Sequence, residues 1–275
     1  VSPEATLTWH PTPDTTLYAA YKTGFKSGGY AQTNLVTQAF TEDTIRFSPE
    51  KVKGFELGAK GRFFDRKLQL TAAAYRYKFS NLQVQTFDAA TISNQIRNAA
   101  SARTTGIELE AKFQASPELQ LHGAASHNIA KYLSYPDAPC YAGQAAPQGC
   151  LTVSGSPVQD LSGRRLARAP KYNFSGGFIF DTPLTAGLSL GLTGDVRHVS
   201  SYNSSETLNP VGLQKTYTLL NASVRLRGDD DRWELALIGQ NLANKYYISN
   251  AIDHPLAPPG QIVAAVARPR EVTVQ

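Results

Sequence analysis

The chain has 275 residues, enough for one large all-β domain or two ordinary ones, and no composition shift marks a linker between two. Its formal charge of +5 is mild and evenly spread, which argues against nucleic acid as a partner. No run approaches the roughly 18 apolar residues of a membrane helix; that excludes a helical membrane protein but not a barrel, whose alternating strands keep hydropathy low.

Taken in chain order, about eleven segments read as strands. They are Glu4–His10, Thr15–Gly24, Lys51–Phe63, Lys67–Phe87, Asn98–Phe113, Leu119–Tyr132, Pro170–Asp181, Gly187–Ser201, Lys215–Arg227, Arg232–Tyr246 and Gln261–Gln275. The connections between them alternate. Tight turns fall at Pro11–Asp14, Phe64–Arg66, Ala115–Glu118, Thr182–Ala186 and Gly228–Asp231. Long polar segments fall at Phe25–Pro49, Asp88–Arg97, Leu133–Ala169, Tyr202–Gln214 and Ser249–Gly260. Strand pairs that close tightly at one end and loosely at the other are the pattern of an antiparallel up-and-down outer-membrane barrel. Val1–Pro13 does not read as a signal peptide, and a chain without methionine is expected to be a processed product or a fragment.

Side chains alternate between the two faces of a strand. In Gly54–Phe63, Phe55, Leu57, Ala59 and Phe63 oppose Glu56, Lys60 and Arg62. Ile107, Leu109, Ala111 and Phe113 oppose Glu108, Glu110 and Lys112, and Leu220, Ala222, Val224 and Leu226 oppose Asn221, Ser223, Arg225 and Arg227. One face is apolar and the other carries both signs of charge. A soluble β-sandwich would bury the apolar face, whereas a barrel in a bilayer would turn it to lipid. Segments such as Lys67–Phe87 exceed the usual five or six residues of a globular strand and suit the roughly 9–11 that a tilted membrane strand needs. Aromatics gather towards strand ends (Trp9, Tyr75, Tyr77, Phe79, Tyr217, Trp233, Tyr246 and Tyr247), as in an interfacial girdle.

Cys140 and Cys150 sit close together in the longest loop. A disulfide is the natural reading in an oxidising compartment, with two free thiols as the alternative. A metal site is disfavoured, since no His, Asp or Glu pattern accompanies them at ligand spacing. No catalytic constellation emerges, and neither a metal nor a cofactor is expected. Gly24–Gly29 lacks phosphate-loop spacing. His122, His127 and His198 are scattered over strands as packing residues, and Asp229–Asp231 reads as a solvated turn.

Several stretches resemble the barrel of TonB-dependent outer-membrane receptors. They are Thr23-Gly-Phe-Lys-Ser-Gly-Gly-Tyr30, Phe47-Ser-Pro-Glu-Lys-Val-Lys-Gly-Phe-Glu-Leu-Gly-Ala-Lys60 and Asn98-Ala-Ala-Ser-Ala-Arg-Thr-Thr-Gly-Ile-Glu-Leu-Glu110. Gly239-Gln-Asn-Leu-Ala-Asn-Lys-Tyr-Tyr247 and Arg268-Pro-Arg-Glu271 resemble that family's final hairpin. The resemblance implies a plugged barrel of about 22 strands. It also implies import of a scarce nutrient, most commonly a ferric siderophore, driven by the TonB complex through an N-terminal segment. With no plug and no TonB box recognised, residues 1–275 are expected to be the C-terminal portion of such a barrel, located in the cell outer membrane with lipid and lipopolysaccharide around it. Anionic ferric chelates suit Arg for charge and Tyr for stacking. The ligand-binding candidates are Tyr30, Arg46, Arg97, Arg164, Arg165, Arg168, Tyr202 and Tyr247, each alternatively a solvated loop residue or a lipopolysaccharide contact. Two rival readings remain: a passive porin-like barrel, and a soluble β-sandwich binding module.

Overall fold

The computed structural model describes residues 2–31, 42–88, 93–98, 100–153, 155–228, 232–254 and 260–275. Eleven strands form one antiparallel sheet in strict sequence order. They are β1 (Glu4–Thr12), β2 (Thr15–Lys26), β3 (Glu50–Phe63), β4 (Leu68–Ser80), β5 (Ser101–Gln114), β6 (Leu119–Ser134), β7 (Tyr172–Thr185), β8 (Leu188–Val199), β9 (Tyr217–Gly228), β10 (Glu234–Gln240) and β11 (Glu271–Val274). The expected strands are all present. Four of them are shorter in the wall than expected, because their outer parts leave it; Arg232–Tyr246 leaves at Gln240, before the positive φ of Asn241. Lys67–Phe87 breaks at Asn81 and Asn98–Phe113 at Ala100, both with positive φ, and Gln83–Asp88 pairs instead with Ser93–Asn98. Within Gln261–Gln275, Ile262–Val266 pairs with Ile248–Asp253 beyond the wall.

The turns explain the tight end. Phe64, Asp65 and Arg66 all take positive φ, and Asp14 of the neighbouring turn accepts from Arg66 Nε at 2.9 Å and forms an ion pair with Arg62, whose Nε lies 3.1 Å away. Ser116 Oγ accepts from the backbone of Glu118 and Leu119 at 3.3 and 3.2 Å. The expected turn at Thr182–Ala186 is shorter: β7 runs on to Thr185, with a register shift after Pro183, a position where a missing N–H is tolerated. Gly228 N–H donates to Trp233 O at 3.1 Å, and Asp229–Asp231 lies outside the described residues.

Register fixes the two faces. One apolar row runs Leu7, Ala19, Leu57, Ala74, Ile107 across five strands, and another joins Leu192, Val224, Leu237 and Val274. These rows are uncovered. Leu7 is 75% exposed, and in the row singled out from sequence Leu220 and Val224 are 43% and 44% exposed. The soluble-sandwich reading is thereby corrected. A sandwich buries such a row between two sheets, whereas the other sheets among the described residues are two- and three-stranded pieces in the connections. One cluster of buried hydrophobic residues does form, at the loop end: Ala102, Tyr132, Tyr135, Ala138 and Leu161. There the long segment after β6 folds against the polar face.

The aromatic girdle is partly corrected as well. Trp9 and Trp233 are exposed on the sheet near the tight turns. Tyr75, Tyr77 and Phe79 alternate with the exposed Arg76 and Lys78 and so belong to the polar face.

Candidate functional site

On the polar face, Glu56 organises a network. Its carboxylate accepts from Tyr18 Oη and Tyr77 Oη at 2.9 Å each, and from Lys22 Nζ at 3.2 Å. Further along, His122 Nε2 lies 3.0 Å from Asp195 Oδ1, Arg227 pairs with Asp181, and Arg225 Nε lies 3.7 Å from Glu234. On the apolar face, His198 Nδ1 meets Thr218 Oγ1 at 2.9 Å, while His127, opposite Ile107, stacks on Tyr172 with ring centroids 4.9 Å apart. These are pairing and packing roles. Among the described residues no group of three or more His, Cys, Asp or Glu side chains is arranged to hold a metal ion.

At the loop end the connections tie to one another. Asn98 Nδ2 donates to Ser48 O at 2.8 Å and to Asn81 O at 2.9 Å, and Gln83 Nε2 donates to Ser27 O at 2.8 Å. A second and denser knot joins the segments after β6, β8 and β10. Asp253 accepts from Thr207 Oγ1 at 2.5 Å and from Asn209 Nδ2 at 2.6 Å. Gln159 Nε2 donates to Pro139 O and Thr207 O, both at 2.8 Å. Ser204, Ser205 and Asn209 are fully buried within the knot. Cys140 and Cys150 form a disulfide with Cα atoms 5.8 Å apart, closing the tip of the segment after β6.

The residues singled out from sequence fall into separate groups. Tyr30 and Arg46 are cross-strand partners, and Tyr30 Oη donates to Glu42 at 3.0 Å. Arg97 stands opposite Val84 in the neighbouring hairpin, and its side chain lies outside the described residues. Arg164 and Arg165 sit where the chain returns to β6: Tyr132 N–H donates to Arg164 O at 3.0 Å, and Arg165 bridges to Lys131. Arg168 is built into the knot. With φ of 53°, it donates from Nη1 to Asn250 at 2.6 Å and pairs through Nη2 with Glu206. Tyr202 and Tyr247 come together beside the knot. Tyr247 stacks on Tyr217 with centroids 4.2 Å apart, and Tyr202 Oη donates to Ile248 O at 2.8 Å. Burial pushes the Tyr202 phenol above its ordinary pKa. Sequence reading missed Gln159, Asn209 and Asp253. Their polar side chains carry no pattern, because their partners lie 20 to 48 residues away.

A one-layer wall with an uncovered apolar face, a charge-paired opposite face, tight turns at one end and knotted loops at the other defines a β-barrel protein of a membrane. The chain belongs to the TonB-dependent receptor family: residues 1–242 match its barrel, described as "TonB dependent receptor-like, beta-barrel". Barrels of this family are outer-membrane structures, and that is where this wall resides. A stretch of 126 residues, 46% of the chain, is 30% identical to the metal-pseudopaline receptor CntO of Pseudomonas aeruginosa and covers 16% of it. Another of 110 residues, 40% of the chain, is 30% identical to the probable TonB-dependent siderophore receptor PiuA of Acinetobacter baumannii and covers 14% of it. In three dimensions, 98% of the chain superposes on 36% of the ferric yersiniabactin uptake receptor FyuA from Yersinia pestis (TM-score 0.71, 19% identity). The PiuA structure gives a TM-score of 0.70 at 18% identity, over 98% of this chain and 34% of that one. At these identities the superpositions speak for the fold, and the chain spans about a third of those receptors.

Proposed function

We propose that residues 1–275 form the C-terminal portion of the barrel of a receptor that captures a metal chelate of the siderophore type and imports it with energy from the TonB complex. The observation that carries this reading is the knotted outer face. A passive channel has no need of loops locked to each other by buried side chains, whereas a capture surface gains from being pre-organised. The names of the relatives, a metal-pseudopaline receptor and a siderophore receptor, supply the chemical class. Tyr202, Tyr217 and Tyr247 offer stacking surfaces beside the knot, and Arg164 and Arg165 offer charge. The residues do no covalent chemistry in this role; they bind and orient.

The test uses the whole receptor gene in iron-starved cells supplied with radiolabelled ferric chelates. Uptake is expected to vanish when TonB is deleted. Tyr247→Ala should weaken binding to the cells about tenfold, the effect of losing one stacked ring. Uptake that persists without TonB would sink this reading in favour of the passive porin-like one.

A further inference from the structure

The register places an unpartnered row of cations on the apolar face of the wall. Lys53 stands opposite Lys78, Lys78 opposite Arg103, and Arg103 opposite Lys131, and Lys131 in turn bridges to Arg165. Five cations thus follow one another across four strands and a loop. Lys51 and Arg76 flank them two residues away on the same face. Alternation sends the nearby carboxylates Glu50, Glu56 and Glu108 to the opposite face. Among the described residues none of the five is in an ion pair; Arg165 donates only to a backbone carbonyl, Ala169 O, at 3.2 Å. Like charges directly opposite one another destabilise a sheet, so a row of this length calls for an anion that is not supplied by the wall.

Its height says which kind of anion. From the turn-end pair Phe63 and Leu68 to the pair Lys53 and Lys78, the strands climb ten residues. At about 3.3 Å per residue and a tilt near 45°, that is roughly 23 Å of vertical rise, close to the height of the lipid-facing apolar band of an outer-membrane barrel. The row therefore stands at the outer boundary of the hydrocarbon, level with headgroups. Directly beneath it the same face presents Phe55, Leu57, Ala74, Ile107 and Ile129. An occupant with phosphate above acyl chains meets both halves of this surface, whereas a free anion leaves the apolar half unused.

We propose that the Lys53–Lys78–Arg103–Lys131–Arg165 row is a docking site for the headgroup phosphates of an outer-leaflet lipid. Ammonium and guanidinium groups form charge-assisted hydrogen bonds to phosphate oxygens, and their side-chain stems lie along the acyl chains. The site rests on the outer-membrane placement of the wall and is independent of which ligand the receptor imports.

The test uses the whole receptor, stripped of lipid in neutral detergent and placed in phosphatidylcholine nanodiscs doped with bisphosphorylated lipid A. Lipid retained per receptor is measured by mass spectrometry, with no chelate present, so its outcome is separate from the transport test. Replacing Lys78, Arg103 and Lys131 together by Gln is expected to lower affinity about a hundredfold and to flatten its dependence on salt. Replacing Lys78 and Lys131 by Arg should preserve binding. If the triple variant loses the gel shift of a folded barrel, Lys131→Gln alone should still lower affinity about fivefold. Lipid retention unaltered by loss of these charges would overturn the proposal. Inorganic phosphate binding as tightly as the lipid would also overturn it, by making the row a free-anion site.

Discussion

Three glycines of the wall lie beneath tyrosines, and the space above each decides what a methyl group there would cost. At Gly58 an added Cβ would fall 2.2 Å from the ring of Tyr18, and at Gly106 it would fall 2.5 Å from Tyr75 Oη and 2.7 Å from His127 O. At Gly54 it would meet Arg76 O at 2.2 Å and Tyr77 Cα at 2.7 Å, both backbone atoms of the adjoining strand. A ring can swing aside, but a paired backbone cannot without breaking its ladder. Gly54→Ala is therefore expected to destabilise the barrel by about 1–3 kcal/mol, and Gly58→Ala by less, in line with the cost of overpacking. Urea unfolding of the receptor in detergent, followed by gel mobility, measures both, and a larger loss at Gly58 would contradict the argument. A second residue-scale expectation concerns acid. Asp160, in the loop after β6, is held below the usual carboxylate range by the hydroxyl of Ser162 and then by its N–H, which donates at 2.7 Å. Ser162 Oγ in turn accepts from Tyr135 N–H at 2.9 Å. A depressed folded pKa contributes stability above the unfolded value of about 3.9 and loses it as pH falls through the lowered folded value. The turn at 160–163 should thus hold at neutral pH and loosen only in strong acid. Asp160→Asn should abolish that acid step in amide exchange at Ser162, and its persistence in the variant would assign the step to another group.

At the scale of elements, the wall was legible and the loops were not. Two-residue alternation with tight turns marks strands whatever face is buried, so Gly54–Phe63 and Gly106–Phe113 read correctly from local pattern alone. The expectation failed where the chain keeps strand character but leaves the sheet, as in Gln83–Asp88 and Ile262–Val266. What ends the wall there is a positive φ at Asn81 or Ala100, or the turn around Asn241, and alternation carries no trace of these. Asn241 shows why the Gly239–Tyr247 motif exists. Its Nδ2 donates to Lys245 O at 2.9 Å and Arg268 O at 3.1 Å, and its Oδ1 accepts from Lys245 N–H at 2.8 Å. The motif is a clasp between the last two wall strands. The knot at the loop end was invisible because Asp253 finds its partners 44 and 46 residues away. Truncating it tests the knot: Asp253→Ala strands the buried Asn209 amide, a loss of about 1–3 kcal/mol. Amide exchange over residues 204–212 should quicken while exchange in β7 and β8 stays unaltered. Uniform quickening would show that the knot and the wall unfold together.

At the scale of the whole molecule, hydrophobic burial does not hold this sheet together in water. Buried hydrophobic residues gather at the loop end, while Leu7, Trp9, Phe55, Leu57, Leu109, Phe174 and Leu237 stand exposed along the wall. An uncovered apolar face of this extent far exceeds the few hundred Å² that soluble monomers tolerate. The edges add to the problem. Both β1 and β11 enter a tight-turn end from the loop side, so they run the same way, and joining them would create a parallel seam in an otherwise antiparallel sheet. A closed ring of antiparallel strands needs an even count, so eleven strands require an odd number of further strands to cover both edges. Lipid does not tolerate unpaired backbone groups. Expressed alone, residues 1–275 should therefore aggregate in water and enter solution with β-type circular dichroism only in detergent. Even there the unfolding should be broader than that of the full receptor, whose edges are paired. A soluble monomer that melts cooperatively without detergent would mean that the exposed rows close onto one another, and the lipid-facing assignment of Leu220, Ala222 and Val224 would have to be abandoned.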